Sequence, residues 1–364
     1  MAYPGPYRHE GVRCGGASAL PAARRGQRPF HRSRGAHVIE LLSDSRLSSV
    51  QDLGRAGRMH LGVGRAGAMD PLALRVGNWL VEGEGSEAAI EIAQFPLRLR
   101  FHAACGYALT GALGMARLDG VIVPPWWTAL ARPGQTLTIA APDVGARAYL
   151  CVAGGLPLPE VLGARATDMK SGFGGLNGAG LARGATLPHR AQILDDRRAF
   201  GVAPEVAGQF YRSLAVADVR LRVMVASEFE CLDADSQRRF FEQSWAITAN
   251  ANRIGYRLEG EALSFTQMPE LLSHGIVPGV IQLPGEGQPI VQLADANTCG
   301  GYPKLAVVIA CDLWKLGQLR PGDRLRFAPV SNREAIAAQD VQEQGLQALR
   351  RNIERERGVH GSNK

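Results

Sequence analysis

The phrase RPGQTL at residues 132–137 returns as RPGDRL at residues 320–325, an offset of 188 positions. Other identities at this offset cluster where backbone or ligand constraints would act. They are Arg65 with Arg253, Gly67 with Gly255, Gln94 with Gln282, Pro96 with Pro284, Thr110 with Thr298, and Trp126 with Trp314. The repeat predicts two diverged copies of one module, the first beginning near Val38 and the second near Asp218.

Each copy is predicted to consist mostly of β-strands. Eight short β-rich segments are separated by Gly and Pro turns, a pattern typical of closed barrels. They are VIELL (38–42), LRLRF (97–101), TLTIA (136–140), ARAYLCVAG (146–154), LRVMV (221–225), PIVQL (289–293), LAVVIA (305–310) and DRLRF (323–327). The prediction is a mainly β protein with one barrel at 38–217 and a second at 218–330.

A few helices interrupt the strands. Asp70 and Pro71 provide an N-cap and a first helical residue for the segment that follows them. A short helix is predicted at 312–316, and Ser331 with Glu334 forms a capping box that opens a polar helix in the tail 331–364. The weak apolar face of that last helix either docks on a partner or frays. Its residues are Ile336, Val341, Leu346 and Leu349.

The basic charge of the chain lies near its start. The net charge is +7, and residues 1–36 hold seven arginines against one glutamate. This segment is rich in Pro, Gly, Ala and Arg without periodicity, which predicts a disordered basic leader over residues 1–37. Because the remainder is close to neutral, the charge does not indicate a nucleic-acid partner.

Targeting signals and cysteine usage predict a cytoplasmic protein with no membrane partner. No apolar run approaches the roughly 18 residues that span a bilayer, and no apolar signal-peptide region occurs. The six cysteines are scattered, so no metal site is expected and a reducing compartment fits. The sequence also lacks the phosphate-binding loop, dinucleotide fingerprint, serine nucleophile elbow and H-E-x-x-H motifs.

One loop stands out between two predicted strands, DANTCGGYPK at residues 295–304. Its adjacent glycines allow positive φ and could bring backbone N–H groups close to a small ligand. The alternative is a tight hairpin turn that the Tyr-Pro pair only stiffens. The counterpart Thr110-Gly111 in the first copy argues against an accidental hairpin.

Six ordered strings carry a resemblance to the carboxyltransferase-domain family. They are SSVQDLGRAGRMHLGVGRAGAMDPLALRVGNWLV (48–81), ATDMKSGFGGLNG (166–178), ANRIGYRLEG (251–260), LLSHGIVPGVIQLP (271–284), GQPIVQLADANTCGGYPK (287–304) and LRPGDRLRF (319–327). The chain resembles this family over about 38–330. The family includes the C subunit of 5-oxoprolinase, the Kip sporulation antagonists and a segment of urea carboxylase.

The resemblance implies two tandem cyclophilin-like β-barrels, in agreement with the repeat. It implies a subunit-B-like partner and a subunit-A-like hydrolase, which together with this chain use ATP to open 5-oxoproline to glutamate. ATP is expected to bind at a subunit interface if it contacts the chain. The Met-Lys pair at Lys170 lacks the flanks of a biotin acceptor, so biotin is not expected to be attached here.

The loop departs from the family pattern at two positions. The family commonly has Gln-Thr-Thr-Gly-Gly-Tyr where this chain has Asn297-Thr298-Cys299-Gly300-Gly301-Tyr302. The Asn side chain places its amide closer to the backbone than Gln does, and Cys lacks the strong hydroxyl donor of Thr. The contacts to the substrate are therefore expected to differ from those in the family.

Activation of a lactam or a urea-like amide develops negative charge on an oxygen, so anion-binding groups are the first candidates. Arg65 and Arg253 offer planar donor forks for carboxylate or phosphate, and the Gly300 and Gly301 amides offer an anion-binding nest. The alternative for each arginine is a structural ion pair that ties a barrel to its loop.

The candidate catalytic residues are Asp52, Asp295 and Lys304. Either aspartate could act as a base or orient a donor, although Asp52 in VQDLG is more typical of a turn cap. Lys304 is one of only four lysines beside 37 arginines, which indicates that an ammonium group is needed there.

The other candidate binding residues are aromatic, amide or hydroxyl side chains. Tyr256 and Tyr302 could stack on a planar ring, although core tyrosines with a satisfied hydroxyl are commoner. Gln282 and Asn78 suit amide recognition but equally suit closing gaps in the backbone. Thr298 lies in the glycine loop and completes the set.

Two other functions remain open from the sequence. One is transfer of a carboxyl group to urea or a related amide, with carboxybiotin delivered by another polypeptide. The other is a non-enzymatic regulatory module of the Kip type. The expected small-molecule substrate is an anion or an amide in each enzymatic case.

Overall fold

The first half of the folded chain contains two β-sheets that pack face to face. The computed structural model describes residues 37–112, 114–191, 199–202 and 204–359, so the predicted basic leader lies outside the described residues apart from His37. One sheet has the strand order β11-β1-β4-β9-β6-β7 and the other the order β2-β3-β10-β5-β8. The strands are β1 (Val38–Leu41), β2 (Ser49–Gln51), β3 (Ala89–Ile92), β4 (Leu97–Phe101), β5 (Cys105–Gly111), β6 (Ala116–Leu118), β7 (Val121–Val123), β8 (Trp127–Ala131), β9 (Thr136–Ile139), β10 (Ala148–Val152) and β11 (Thr186–Pro188).

The five-stranded sheet is buried on both faces, because successive side chains of a strand point to opposite sides. On β10, Leu150 joins the core between the two sheets, whereas Tyr149 and Cys151 face the opposite way. That outer face is covered by helix α1 (Pro71–Leu80), which is covered in turn by helix α5 (Asn332–Val359). Side chains on the outer face of this sheet are therefore enclosed.

The second half is a closed barrel with the strand order β12-β19-β16-β17-β14-β13-β20. Its strands β12 and β20 are parallel, and its other neighbouring strands are antiparallel. Two further strands, β15 and β18, form a separate pair. The strands are β12 (Val219–Val225), β13 (Trp245–Ile247), β14 (Gly255–Glu259), β15 (His274–Gly275), β16 (Val280–Gln282), β17 (Ile290–Gln292), β18 (Cys299–Gly300), β19 (Lys304–Val308) and β20 (Arg324–Pro329).

The mainly β fold and the eight predicted strands are confirmed, but the expectation of two closed barrels is wrong for the first half. Strands β1 to β11 form two sheets, and only the second half closes on itself among the described strands. The loop 295–304 is also not a tight hairpin, because its residues Cys299 and Gly300 pair with Gly275 and His274 of β15.

The predicted helices are present, and two more helices join them. Asp70 caps α1 and the Ser331–Glu334 capping box precedes α5, as predicted. The short helix α4 spans Leu313–Gln318, and the two helices that the sequence did not predict are α2 (Pro204–Leu214) and α3 (Ala234–Glu242). Among the described residues, no helix is long and apolar enough to cross a membrane.

Helix α5 docks on α1 along only part of its predicted face. Leu346 is buried and Leu349 is partly buried, while Ile336 and Val341 are 56% and 69% exposed. Ile353, which the prediction omitted, is buried in the same cluster. The helix therefore packs on α1 through its second half, while Ala335 near its start packs with Ile309 and Cys311 beside the barrel.

The repeated RPG phrase marks the same turn in both halves. The N–H of Arg132 donates to the side chain of Gln135 at 2.7 Å, and the N–H of Arg320 donates to Asp323 at 2.8 Å. Gly134 and Gly322 have φ of 88° and 91°, and each turn enters a strand, β9 or β20. At this turn the predicted equivalence holds.

The equivalence fails for the two arginines. Arg65 lies in the loop between β2 and α1, whereas Arg253 lies in the loop between β13 and β14. The constant spacing between the two copies does not hold for these arginines, because the loops and helices before the RPG turn differ in length between the halves.

The two halves share buried contacts. Met69 of the first half packs in the core cluster of the barrel. The Gln318 amide on α4 donates to Asp70 at 2.7 Å and to the Arg147 carbonyl oxygen at 3.0 Å. The described residues belong to one compact unit.

Candidate functional site

Three glycine-rich loops meet where the two halves join: 52–69, 161–178 and 293–303. The Ala66 N–H donates to the Ala294 carbonyl oxygen at 3.0 Å, which links the first loop to the third. Asp52 accepts the Arg165 N–H at 2.5 Å, which links the first loop to the second. The Lys170 ammonium contacts the Asn297 side-chain oxygen, which links the second loop to the third.

Glycine is required in these loops because the chains approach each other closely. Gly54 has φ of +81°, and a Cβ there would lie 2.6 Å from the Ala66 carbonyl oxygen. Gly174 has φ of +74°, and a Cβ there would overlap the Ala166 carbonyl oxygen. Both conformation and space exclude a side chain at these positions.

A buried ion network underlies the loops, with Arg253 at its centre. Its Nε and Nη2 donate to the two Asp295 carboxylate oxygens at 2.9 and 3.0 Å. Nη2 also donates to the Gly67 carbonyl oxygen at 2.7 Å, and Nη1 donates to the Glu91 carboxylate. Arg253 is 6% exposed and Asp295 7% exposed, so this is a desolvated pair.

Glu91 brings strand β3 of the first half into the network. Its second oxygen accepts the Met69 N–H at 2.8 Å and the Tyr149 hydroxyl at 2.7 Å. Burial alone raises the pKa of Glu91, but the Arg253 and Arg147 guanidinium groups lower it below its usual value. The pKa of Arg253 is raised, because Glu91 and Asp295 outweigh the effect of its burial. Both groups are therefore ions in the folded protein.

Arg147 supports the network from the start of β10. Its Nη1 donates to the Tyr256 hydroxyl at 3.1 Å and to the Gly317 carbonyl oxygen at 2.5 Å. The Tyr256 hydroxyl donates in turn to the Leu319 carbonyl oxygen at 3.1 Å. Tyr256 is 2% exposed, so it adopts the core-tyrosine alternative.

The predicted aspartates have different environments. Asp52 accepts the Gly54 N–H at 2.8 Å and so caps its turn, the alternative that VQDLG favours. Asp295 faces Arg253 with both oxygens. Asp70 accepts the N–H groups of Leu72 and Ala73 at 3.1 and 3.0 Å, as an N-cap does.

The two predicted arginines also differ. Arg253 adopts the structural ion-pair alternative, since its donors are committed to Asp295, Glu91 and Gly67. The Arg65 side chain is exposed at the rim of the three loops and makes no hydrogen bond or ion pair within the described part of the chain. Arg65 is thus the guanidinium that is open to a ligand.

The expectation of positive φ at the paired glycines is wrong. Neither Gly300 nor Gly301 has positive φ, because Gly300 lies in the extended strand β18. A Cβ on Gly300 would lie 2.6 Å from Ile276 Cδ1, so the end of the Ile276 side chain would have to shift to admit one. Positive-φ glycines instead occur in the loops 52–69 and 161–178, as well as in turns elsewhere in the chain.

The remaining predicted residues surround the third loop, except Asn78. Gln282 donates to the Tyr302 carbonyl oxygen at 3.4 Å, and the Thr298 carbonyl oxygen accepts the Ile276 N–H at 3.0 Å. The Tyr302 side chain is 52% exposed and available for stacking. Lys304 Nζ donates to the Gly275 carbonyl oxygen at 3.1 Å.

Asn78 lies on α1 and closes a turn rather than facing the loops. Its Nδ2 donates to the Glu87 carbonyl oxygen at 2.8 Å. Cys299 is the exposed thiol of the third loop, whereas Cys105, Cys151 and Cys311 are buried. In the described ranges no group of three His, Cys, Asp or Glu side chains could hold a metal ion.

Three charged residues of this region were not predicted from the sequence: Glu91, Arg147 and Arg55. Arg55 is 1% exposed, donates to the Val161 and Ala166 carbonyl oxygens, and lies 4.6 Å from the Phe173 ring centroid. Burial lowers the pKa of Arg55 more than the nearby carboxylates raise it. For Glu91, the sequence did offer a signal, which is a charged residue inside the otherwise apolar strand AIEI at 89–92.

The fold and the loops are those of a known class. The family described as "Carboxyltransferase domain, subdomain A and B" matches residues 61–329. The chain belongs to this family.

Within the family, the chain is similar to the C subunit of 5-oxoprolinase along nearly the whole length of that protein. The C subunit from Escherichia coli is 38% identical over 312 residues, which cover 86% of this chain and 97% of that protein. The C subunit from Haemophilus influenzae is 36% identical over 320 residues, which cover 87% and 99%.

Larger proteins contain a similar segment. Urea amidolyase of Saccharomyces cerevisiae is 28% identical over 326 residues, which cover 86% of this chain but 18% of that protein. The crystal structure of Kluyveromyces lactis urea amidolyase superposes with a TM-score of 0.79 and 26% identity, covering 88% of this chain and 20% of that chain.

Proposed function

We propose that this chain is a subunit of an ATP-dependent 5-oxoprolinase-type complex that hydrolyses 5-oxo-L-proline to L-glutamate. The observation that carries the proposal is the similarity to the C subunit of 5-oxoprolinase, at 38% and 36% identity over nearly the full length of those two proteins. The proposed partners are a subunit-B-like carboxyltransferase-domain protein and a subunit-A-like hydrolase.

The three loops supply groups suited to this substrate. Arg65 is free to pair with the carboxylate of 5-oxoproline, and Tyr302 is exposed enough to stack on its ring. Asp295, held by Arg253, is the carboxylate that orients or deprotonates a reacting group. Asp52 and Lys304 are tied to backbone groups, so we assign them to loop geometry.

ATP would activate the amide oxygen and is proposed to bind at an interface between subunits. Lys170, an exposed cation of the second loop, fits its phosphate groups. Biotin is not proposed to be attached to this chain. The complex is proposed to act in the cytoplasm, where the five free cysteines of the described residues would remain reduced.

We further propose that the two halves, 38–217 and 218–330, are diverged copies of one β-rich module, followed by the helical tail 331–364. The shared RPG turn supports this origin.

The test is ATP-dependent release of glutamate from 5-oxoproline by this chain together with its co-encoded partners. We expect activity with the complete set and a loss when this chain is omitted. Full activity without this chain would refute the assignment. Arg65→Met is expected to raise KM about tenfold, because it removes one charged contact to the substrate.

Carboxyl transfer to urea or a related amide is the second candidate. The urea amidolyase superposition, with a TM-score of 0.79, supports it. This function predicts consumption of carboxybiotin on a carrier protein in the presence of urea and no release of glutamate. If neither reaction occurs, a regulatory module of the Kip type becomes the better description.

A further inference from the structure

The guanidinium group of Arg253 is fixed in one plane by its partners. An arginine has five N–H donors in a rigid fork, and four contacts of Arg253 are made to Asp295, Gly67 and Glu91. Because both Asp295 oxygens bind this fork, the plane of the guanidinium fixes the plane of the carboxylate.

Glu91 accepts the hydrogen bond from Nη1 of Arg253, and other contacts hold Glu91 in place. It is fully buried on β3, and its cross-strand neighbour on β10 is Tyr149, whose hydroxyl it accepts. The Met69 N–H holds the same oxygen. Glu91 cannot move without breaking its contacts to Tyr149 of β10 and to the Met69 N–H.

We infer that Glu91 is a positioning residue: through Arg253 it holds the Asp295 carboxylate in the orientation that the reaction uses. The inference rests on the proposed function for the identity of that reaction and for the role of Asp295 in it. A side chain of the first half thereby sets the geometry of a reacting group in the second half. Glu91 itself does not touch the substrate.

A double-mutant cycle tests the inference in the assembled complex with its partners. The variants are Glu91→Gln, Asp295→Asn and the two combined, assayed for kcat and KM. We expect Glu91→Gln to lower kcat about tenfold with KM changed less than about twofold, because misorientation affects the reacting geometry more than binding. In the Asp295→Asn background, Glu91→Gln should lower kcat less than about twofold further.

Asp312→Asn is the matched control. Asp312 is 1% exposed and pairs with Arg222 and Lys315, so its loss also breaks a buried ion pair, but one without a contact to Asp295. Its kcat and KM should match those of the unaltered chain. Independent, multiplying losses from Glu91→Gln and Asp295→Asn, or an equal loss from Asp312→Asn, would overturn the inference.

A crystal structure of the Glu91→Gln variant gives a readout that does not depend on activity. We expect Arg253 and Asp295 to leave their common plane, and an unchanged pair would overturn the inference. No glutamate release by the unaltered complex would contradict the proposed function instead. The two failures are therefore distinguishable.

Discussion

At the scale of single residues, Arg65 and Arg253 share a phrase of sequence but not an environment. Arg253 neutralises two carboxylates inside the protein, while Arg65 projects into solvent beside the same loops. Residue type and spacing identify both as candidates. Only the path of the surrounding chain decides which one is structural and which one is open to a ligand.

Replacing each arginine by methionine should separate these roles. Arg253→Met leaves Glu91 and Asp295 buried without their shared partner, so we expect a loss of about 3–5 kcal/mol in the free energy of unfolding. Arg65→Met should change it by no more than about 0.5 kcal/mol. Urea denaturation measures both, and equal effects would contradict the buried-pair assignment.

The paired glycines give a second contrast. Gly300→Ala places a methyl group against the movable Cδ1 end of Ile276, so we expect a cost of about 1 kcal/mol. Gly301→Ala finds no atom closer than 3.9 Å and should cost less than about 0.5 kcal/mol. Thermal unfolding of the two variants checks this, and a larger loss for Gly301→Ala would be the contrary result.

At the scale of elements, the sequence predicts strands and capped helices well because their signals are local. The eight quoted strands and the caps at Asp70 and Ser331 depend on alternation and on neighbours within a few residues. Helix α3 was missed because its sequence, ADSQRRFFE, is mostly polar. Glu91 was missed for a different reason. The sequence pattern of a strand does not show which later segment of the chain packs against each face of that strand.

The N-cap of α1 gives a pH-dependent prediction. Burial raises the pKa of Asp70 to about 6, above its usual value of 3.8, against the lowering effect of bonds from Ala73, Gln318 and Leu72. The native state then binds the proton more tightly than the unfolded chain. The contribution of Asp70 to the free energy of unfolding is present below about pH 4 and is lost as the pH rises to about 6. The change is roughly 3 kcal/mol.

Comparison of the unaltered chain with Asp70→Asn at pH 4 and pH 7 isolates this contribution in denaturant titrations. The stability of the unaltered chain relative to the variant should fall as the pH rises. Asp312→Asn, compared at pH 3 and pH 7, should show the opposite sign, because its lowered pKa places the change below about pH 4. Although burial alone raises the pKa of Asp312, Arg222 and Lys315 lower it, so its contribution is lost as the pH falls. The same sign in both variants would contradict the assignment.

At the scale of the whole molecule, polar contacts join two differently built halves. Arg147 reaches Tyr256, Arg253 reaches Glu91, and Gln318 reaches Asp70 across the boundary. The RPG repeat predicts that there are two halves. It cannot predict these contacts, because they depend on how separate chain segments pack together.

These contacts predict that the halves unfold together. Tryptophan fluorescence and circular dichroism of the unaltered chain should follow one transition with the same midpoint. Arg147→Met removes buried bonds to Tyr256 and Gly317 and should separate the two midpoints. Arg320→Met, which breaks bonds to Pro142 and Asp143 at a more exposed site, should leave one transition. Two transitions in the unaltered chain would contradict the prediction.

The exposed thiol of Cys299 makes the third loop open to chemical labelling without an engineered handle. A maleimide fluorophore would attach there in preference to the three buried cysteines, once Cys14 and the partly exposed Cys231 are replaced by serine. Its emission would then report when a small molecule or another polypeptide covers the loop. Titration of each candidate against one labelled sample would rank them before any turnover assay is available.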